Sequence, residues 1–269
     1  MKAIYQPKGK AREYSPFALN LYNGCDHRCT YCYVPAIQRK TVKEYSVVAA
    51  KKDILEKLTH DLANNKIREQ VLMSFSGDPF CAAEVKERIT IRALELLSAA
   101  KVPVAVLTKG GKRAMSAFDV FRTFGERIKV GATIVLIDED MATTFEPGAA
   151  SIRERIATLG ILREAGIRTW ISMEPVIYPD QAIQVILETL GVCDEYRIGK
   201  INYNPELGKD VDLKFVKDAI RILRDAGKAF YIKKSLQGVC PAGLLSSDET
   251  NADLLAVKGE LDNETKGGD

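Results

Sequence analysis

No stretch of this 269-residue chain is apolar over the length a membrane-spanning helix needs. The opening Met1-Lys2-Ala3-Ile4-Tyr5-Gln6-Pro7-Lys8 lacks the pattern of a secretory signal, so the cytoplasm is the expected setting. Internal repeats and Gly/Ser-rich linkers are missing too, which argues against solenoids and tandem domains. The first strand-like segment is not followed by Gly-x-Gly-x-x-Gly, and no P-loop spacing occurs, so the usual dinucleotide and nucleotide signatures are absent. Cys193 and Cys240 stand alone, without a Cys-x-x-Cys partner that would suggest a second metal centre.

Charge is present in both signs but unevenly placed. The net charge is only +3, yet residues 241–269 hold seven acidic groups against Lys258 and Lys266. Residues 1–240 therefore carry 37 basic and 29 acidic groups, an excess of eight. Ten of the basic groups fall in residues 1–52, and such a surface attracts phosphate, although a merely solvated face has the same composition.

Strand-like and helix-like segments alternate through the middle of the chain. Strands are expected at 17–22, 70–76, 103–108, 128–137, 167–173, 195–201 and 229–233. Helices are expected at 47–62, 85–100, 113–124, 151–165, 180–190 and 212–226. Such alternation argues an α/β fold with a parallel sheet. Six units and a last strand fit an incomplete (β/α)6 TIM-type barrel, with a doubly wound open sheet as the alternative. Residues 1–14 read as a basic arm on the surface, 15–240 as the barrel domain and 241–269 as an acidic, flexible tail in which Leu254-Leu255-Ala256-Val257 is the one apolar break.

Three cysteines, Cys25, Cys29 and Cys32, crowd eight positions directly after the first strand. Thiolates so close together suit one soft metal centre, and three ligands on a four-iron cube leave one iron open to a substrate or cofactor. With His27 they could also make a Cys3His zinc site in a non-enzymatic nucleic-acid module.

The string Leu21-Tyr22-Asn23-Gly24-Cys25-Asp26-His27-Arg28-Cys29-Thr30-Tyr31-Cys32-Tyr33 resembles the cluster loop of the radical S-adenosylmethionine (SAM) superfamily, in its spore photoproduct lyase-like, "DNA repair photolyase" branch. The resemblance covers roughly residues 15 to 238 in the order of its elements. It implies a [4Fe–4S] cluster on Cys25, Cys29 and Cys32, with SAM on the open iron and cleaved to a 5′-deoxyadenosyl radical. It further implies that Ser76, Gly77 and Asp78 meet the SAM amino group, Lys109 its carboxylate and Thr133 another SAM atom, while backbone near Met173 flanks adenine. Glu146, leading into the fourth helix, and Glu174, ending the fifth strand, are candidates for an acid, a base or a sugar-hydroxyl ligand, and Glu174 equally for a structural ion pair. Tyr31 and Tyr33 are candidates for packing on adenine or relaying a hydrogen atom.

The photoproduct lyases quench their product radical with a cysteine on the second strand. Val71-Leu72-Met73-Ser74-Phe75-Ser76 has none, and the nearest thiol is Cys81, past the turn. That departure puts thymine-dimer reversal in doubt but leaves radical chemistry standing. The implied partners are a DNA or RNA substrate and a reducing donor such as flavodoxin or ferredoxin, with a protein or small-molecule substrate as the alternative. Arg197, Lys200, Asn202-Tyr203-Asn204, Lys233 and Lys234 are candidates for the substrate mouth.

Overall fold

The computed structural model describes residues 2–201 and 206–259. Its strands are β1 Ile4–Tyr5, β2 Phe17–Leu19, β3 Tyr22–Asn23, β4 Ala49–Ala50, β5 Val71–Met73, β6 Val104–Thr108, β7 Ile128–Thr133, β8 Arg168–Val176, β9 Glu195–Lys200 and β10 Ala229–Ile232. Eight of them form one sheet in the order β1-β2-β5-β6-β7-β8-β9-β10, parallel from β2 onward. The barrel is not closed, because β1 and β10 do not pair.

The sequence explains the sheet. Val104–Thr108 and Ile128–Thr133 are buried along almost their whole length, which is what strands covered on both faces require. Helices such as Ile152–Glu164 and Leu213–Asp225 start where Ser151 and Asp212 accept hydrogen bonds from the backbone amides of Glu154 and Phe215. Their apolar faces pack against the sheet's outer side, while Leu72, Ala105, Trp170 and Tyr14 fill the lumen. Gly131 makes room there: a Cβ would stand 2.5 Å from the Trp170 indole.

Three expectations about the ends of elements fail. The helix expected from Val47 begins at Ile54, because Ala49–Ala50 pairs antiparallel with Tyr22–Asn23 and carries the chain back under the cysteine loop. The N-terminal arm is not a surface appendage. Ile4–Tyr5 pairs antiparallel with β2, and Glu13 and Tyr14 are buried in the gap between the two sheet edges. There Glu13 accepts from the Tyr231 hydroxyl and the Lys234 amide, and Arg197 donates to the Glu13 and Tyr14 carbonyls.

The expected loose tail also folds onto the barrel as far as it is described. Helical turns at Ser247–Thr250 and Ala252–Leu255 lead to the buried Leu255 and Val257. The Val257 amide donates to Gln70, Lys129 to the Leu255 carbonyl, and Arg12 pairs with Asp253. Apolar side chains in an otherwise polar segment thus mark a docked strap that closes the floor of the lumen. Among the described residues no helix is long and apolar enough to cross a membrane.

Candidate active site

The C-terminal ends of the parallel strands surround a cavity of about 520 Å³, the position where barrels place their chemistry. Cys25, Cys29 and Cys32 form part of its wall, and Tyr31, Tyr33, Gly77, Asp78, Lys109, Thr133 and Glu174 contribute to the rest. Residues far apart in sequence therefore converge as their strand-end positions demand.

The cysteine loop is held from two sides. Asp78 is the first anchor. Its Oδ1 accepts from the Phe80 amide and the Thr108 hydroxyl, its Oδ2 accepts from the Lys109 amide, and His27 Nε2 stands 2.9 Å away. Burial alone would raise the Asp78 pKa, but the imidazole and these donors hold it well below the usual carboxylate range. With three such bonds, Asp78 is a joint between the loops after β5 and β6.

Glu146 is the second anchor. Arg155 Nη1 donates to it at 2.5 Å, the Tyr31 hydroxyl donates to its other oxygen, and Lys109 Nζ lies 3.7 Å away. The following turn touches the loop directly: the Gly148 amide donates to the His27 carbonyl and the Thr30 amide to the Phe145 carbonyl. A Cβ at position 148 would stand 2.1 Å from the Asp26 carbonyl, so only glycine permits this approach.

The three thiols suit an iron–sulfur centre better than zinc. Burial pushes Cys25 up well beyond the ordinary thiol value and Cys29 up to about 11, so taking up a metal there is coupled to proton release. Among the described residues, the group of donors within 4.8 Å of one another is Cys25, Asp26 and His27, not the cysteine trio. A single zinc ion gathers its ligands at about 2.0–2.3 Å and needs them close; a cube takes one sulfur at each of three corners. Asp26 Oδ2 accepts from the Ala82 amide, and the His27 nitrogens face Gly148 O and Asp78. Each of the two still has one buried atom without a hydrogen-bond partner, Asp26 Oδ1 and His27 Nε2.

Other candidates fall in different places. Cys81 is fully buried outside this cavity, on the wall of a smaller one beside Glu84 and Arg113, and burial raises its thiol to about 12. It is not placed to give hydrogen to anything in the main cavity. Met173 belongs to the core between β8 and the outer helices, and Ser76 is absent from the cavity wall, where Ser74 stands instead. Tyr31 is tied down through its hydroxyl, whereas Tyr33 is the exposed one. Arg197 is sealed beneath the cavity against Glu195, which removes it from the substrate mouth. Asn202-Tyr203-Asn204 lies outside the described residues.

Opposite the cysteines, Glu174 accepts from the Tyr14 hydroxyl at 2.6 Å and from Lys233 Nζ at 2.5 Å, and Tyr14 also meets Ser172 Oγ at 2.8 Å. Sequence reasoning named Glu146, Glu174 and Lys233 separately but missed Tyr14 and Arg155 as parts of the site. Tyr14 sat in a segment without periodicity, so only its pairing across 160 positions reveals it.

The comparisons agree with this geometry. The model of the family described as "Radical SAM superfamily" matches residues 19–193. An uncharacterized protein of Methanocaldococcus jannaschii is 27% identical over 164 residues, covering 61% of either chain. One from Mycobacterium tuberculosis is 24% identical over 174 residues, 60% of this chain and 49% of that one. The matched region thus spans about half to three fifths of these curated relatives.

Among solved structures, a spore photoproduct lyase variant with bound AdoMet and dinucleoside spore photoproduct superposes with a TM-score of 0.66. It is 13% identical and is covered over 78% of its length and 84% of this chain. Streptococcus suis SuiB bound to precursor peptide SuiA gives a TM-score of 0.59 at 14% identity, over 80% of this chain and 48% of that one. Three converging cysteines at the mouth of an open parallel barrel, and a family match over most of that barrel, place the chain in the radical SAM superfamily, whose [4Fe–4S] cluster and S-adenosylmethionine are its cofactors.

Proposed function

We propose that this radical SAM enzyme acts on a nucleic acid, drawing hydrogen from a nucleotide held over the barrel mouth. The observation that carries the reading is the single cavity in which Cys25, Cys29 and Cys32 face the strand-end groups Gly77, Lys109, Thr133 and Glu174. When bound there, the cluster supplies an electron to SAM, and the 5′-deoxyadenosyl radical supplies the hydrogen-abstracting power.

The chain's own residues bind, orient and shield. Cys25, Cys29 and Cys32 would hold three corners of the cluster. Lys109 is the buried cation nearest the cysteines, its charge favoured by Cys29 and Glu146 against the cost of burial, and it suits the SAM carboxylate. Ser74, Gly77 and Thr133 offer polar atoms at neighbouring strand ends for the rest of SAM. Glu174, held between Tyr14 and Lys233, suits a sugar hydroxyl. Tyr31 and Glu146 keep the loop in register, and Tyr33 faces the cavity as a hydrogen-atom relay.

Nucleic acid is supported by the basic excess of residues 1–240 and by Lys8 and Lys10, which line the cavity rim. A neighbour in fold was solved with a dinucleoside, and another with a peptide, so a peptide is the competing substrate. With Cys81 outside the cavity, the thiol-quenched reversal of a thymine dimer is not part of this proposal. The electron would come from a small reducing protein such as flavodoxin or ferredoxin.

The test is anaerobic incubation of reconstituted enzyme with dithionite and SAM, assayed for 5′-deoxyadenosine with DNA, RNA or peptide added. Faster release with a polynucleotide, and none from Cys29→Ala, is the expected result. Equal release with and without polynucleotide, or stimulation by peptide alone, would overturn the substrate assignment.

A further inference from the structure

The smaller cavity, of about 260 Å³, lies between the short helix Glu84–Glu87, the start of the helix Ile89–Ala99 and the helical turns Gly111–Ala117. Three of its lining residues are cations: Arg88, Lys112 and Arg113. Among the described residues none of the three is ion-paired. Glu84 is the one carboxylate on the same wall among the described residues. It is buried, and its oxygens already accept from the Tyr22 hydroxyl and the Thr90 and Ile91 amides. The wall therefore keeps an excess of positive charge that nothing in the chain answers.

Arg113 carries the chemical detail. The residue is half-buried, and its Nε and Nη2 atoms are both shut off from solvent without a hydrogen-bond partner. These two nitrogens form one edge of the guanidinium, with their N–H bonds side by side. That fork matches two oxygens of one anion. Buried donors without acceptors cost stability, and few are left so. The side chain can turn this edge toward the cavity about its own torsions, a fast motion that leaves the backbone in place. An anion in the cavity would then satisfy both donors at once. Arg88 and Lys112, which are exposed, complete the charge around it, and the Ser116 hydroxyl stands on the same wall. A phosphate group suits this set better than a carboxylate, because it brings more acceptor oxygens and, as a monoester or free ion, more charge.

We propose that this outer cavity binds a phosphate group, with the Arg113 fork as its principal donor and Arg88 and Lys112 as supporting cations. The phosphate can belong to a free anion or to the backbone of a polynucleotide, since the recognising chemistry is the same. The assignment goes beyond the nucleic-acid reading and does not depend on it. Cys81 separates this cavity's wall from the cysteine loop's own, so the two sites fill independently.

Holoenzyme loaded with cluster and SAM, so that the main cavity is filled, is titrated anaerobically with inorganic phosphate by calorimetry at constant ionic strength. Saturable binding in the wild type, weakened about tenfold in Arg113→Gln, is the expected result. Arg113→Lys should restore only part of the affinity, because lysine keeps the charge but not the fork. Absence of saturable binding, or equal affinity in the wild type and Arg113→Gln, overturns the proposal. Should Arg113→Gln fail to fold, Lys112→Ala and Arg88→Asn decide. Lys112 is exposed, and asparagine tolerates the left-handed backbone that Arg88 adopts at φ 52°. Weaker phosphate binding in both supports the site, and unchanged binding in both refutes it. The source of the phosphate is read with a single-stranded oligonucleotide over a range of salt. A salt slope smaller by about one in Arg113→Gln assigns the cavity to the backbone. An unchanged slope, alongside the lost phosphate binding, assigns it to a free anion. Failure of the oligonucleotide to bind at all would count against the nucleic-acid reading, while the phosphate titration still decides this one.

Discussion

Two buried glutamates sit at opposite ends of the lumen, each among cations, and they are used differently. At the floor, Glu195 accepts from Lys129 through both oxygens, at 2.8 and 2.7 Å, and from Arg168 and Arg197. Lys129 in turn donates to the Leu255 carbonyl, so every group in the cluster is committed. At the roof, Glu146 is gripped by Arg155 and Tyr31, but Lys109 stands off at 3.7 Å and faces the cavity. The same device is closed where it only supports and left one donor short of closure where a ligand must bind. Position along the strands decides which: Glu195 opens β9, whereas Glu146 lies beyond the end of β7.

The floor's largest liability is its counter-charge. Glu195→Gln leaves Lys129, Arg168 and Arg197 buried or half-buried without their carboxylate, and should cost about 3–5 kcal/mol in denaturant unfolding. Loss of under 1 kcal/mol would show that the floor is not held by this ion cluster. Leu255→Ala, which empties the docked strap's apolar anchor, should cost about 2 kcal/mol by the same measurement.

At the roof the effect should move from stability toward cofactor. Glu146→Gln is expected to cost about 1–3 kcal/mol, and to lower iron content after reconstitution because Tyr31 and Arg155 lose their shared acceptor. Lys109→Met should change stability by less than about 1 kcal/mol yet weaken SAM binding about tenfold, read by equilibrium binding to the cluster-loaded protein. Were both variants to behave like Glu195→Gln, the distinction between the two ends would collapse.

Acid should be felt at both ends. Burial would raise Glu195 and Glu146, but neighbouring cations outweigh it and hold both carboxyls below their ordinary value. The unfolded chain therefore binds protons first as pH falls, so this stabilisation is complete above the unfolded carboxylate pKa, about 4.3, and drains away below it. Unfolding midpoints measured from pH 6 to 3 should fall below about pH 4, less steeply in Glu195→Gln. A profile flat through that window would contradict the ion clusters.

The sequence made the alternation of strands and helices readable because each is a local pattern: the apolar runs of β6 and β7, and the Ser151 and Asp212 caps. The cysteine spacing was readable for the same reason. The anchors were not. Glu146 reaches Tyr31 across 115 positions and Tyr14 reaches Ser172 across 158, and nothing in a one-dimensional string marks such meetings. Asp78 shows the other failure. Its place at a strand end was foreseen, but not the three hydrogen bonds and the nearby His27 that make it a rivet between two loops.

The pairing of Arg12 with Asp253 joins segments 241 positions apart at the base of the barrel. On a ribosome, the arm emerges long before its partner in the strap. The barrel strands are therefore all made while the funnel is still bottomless, with Lys129 lacking the Leu255 carbonyl until the strap follows.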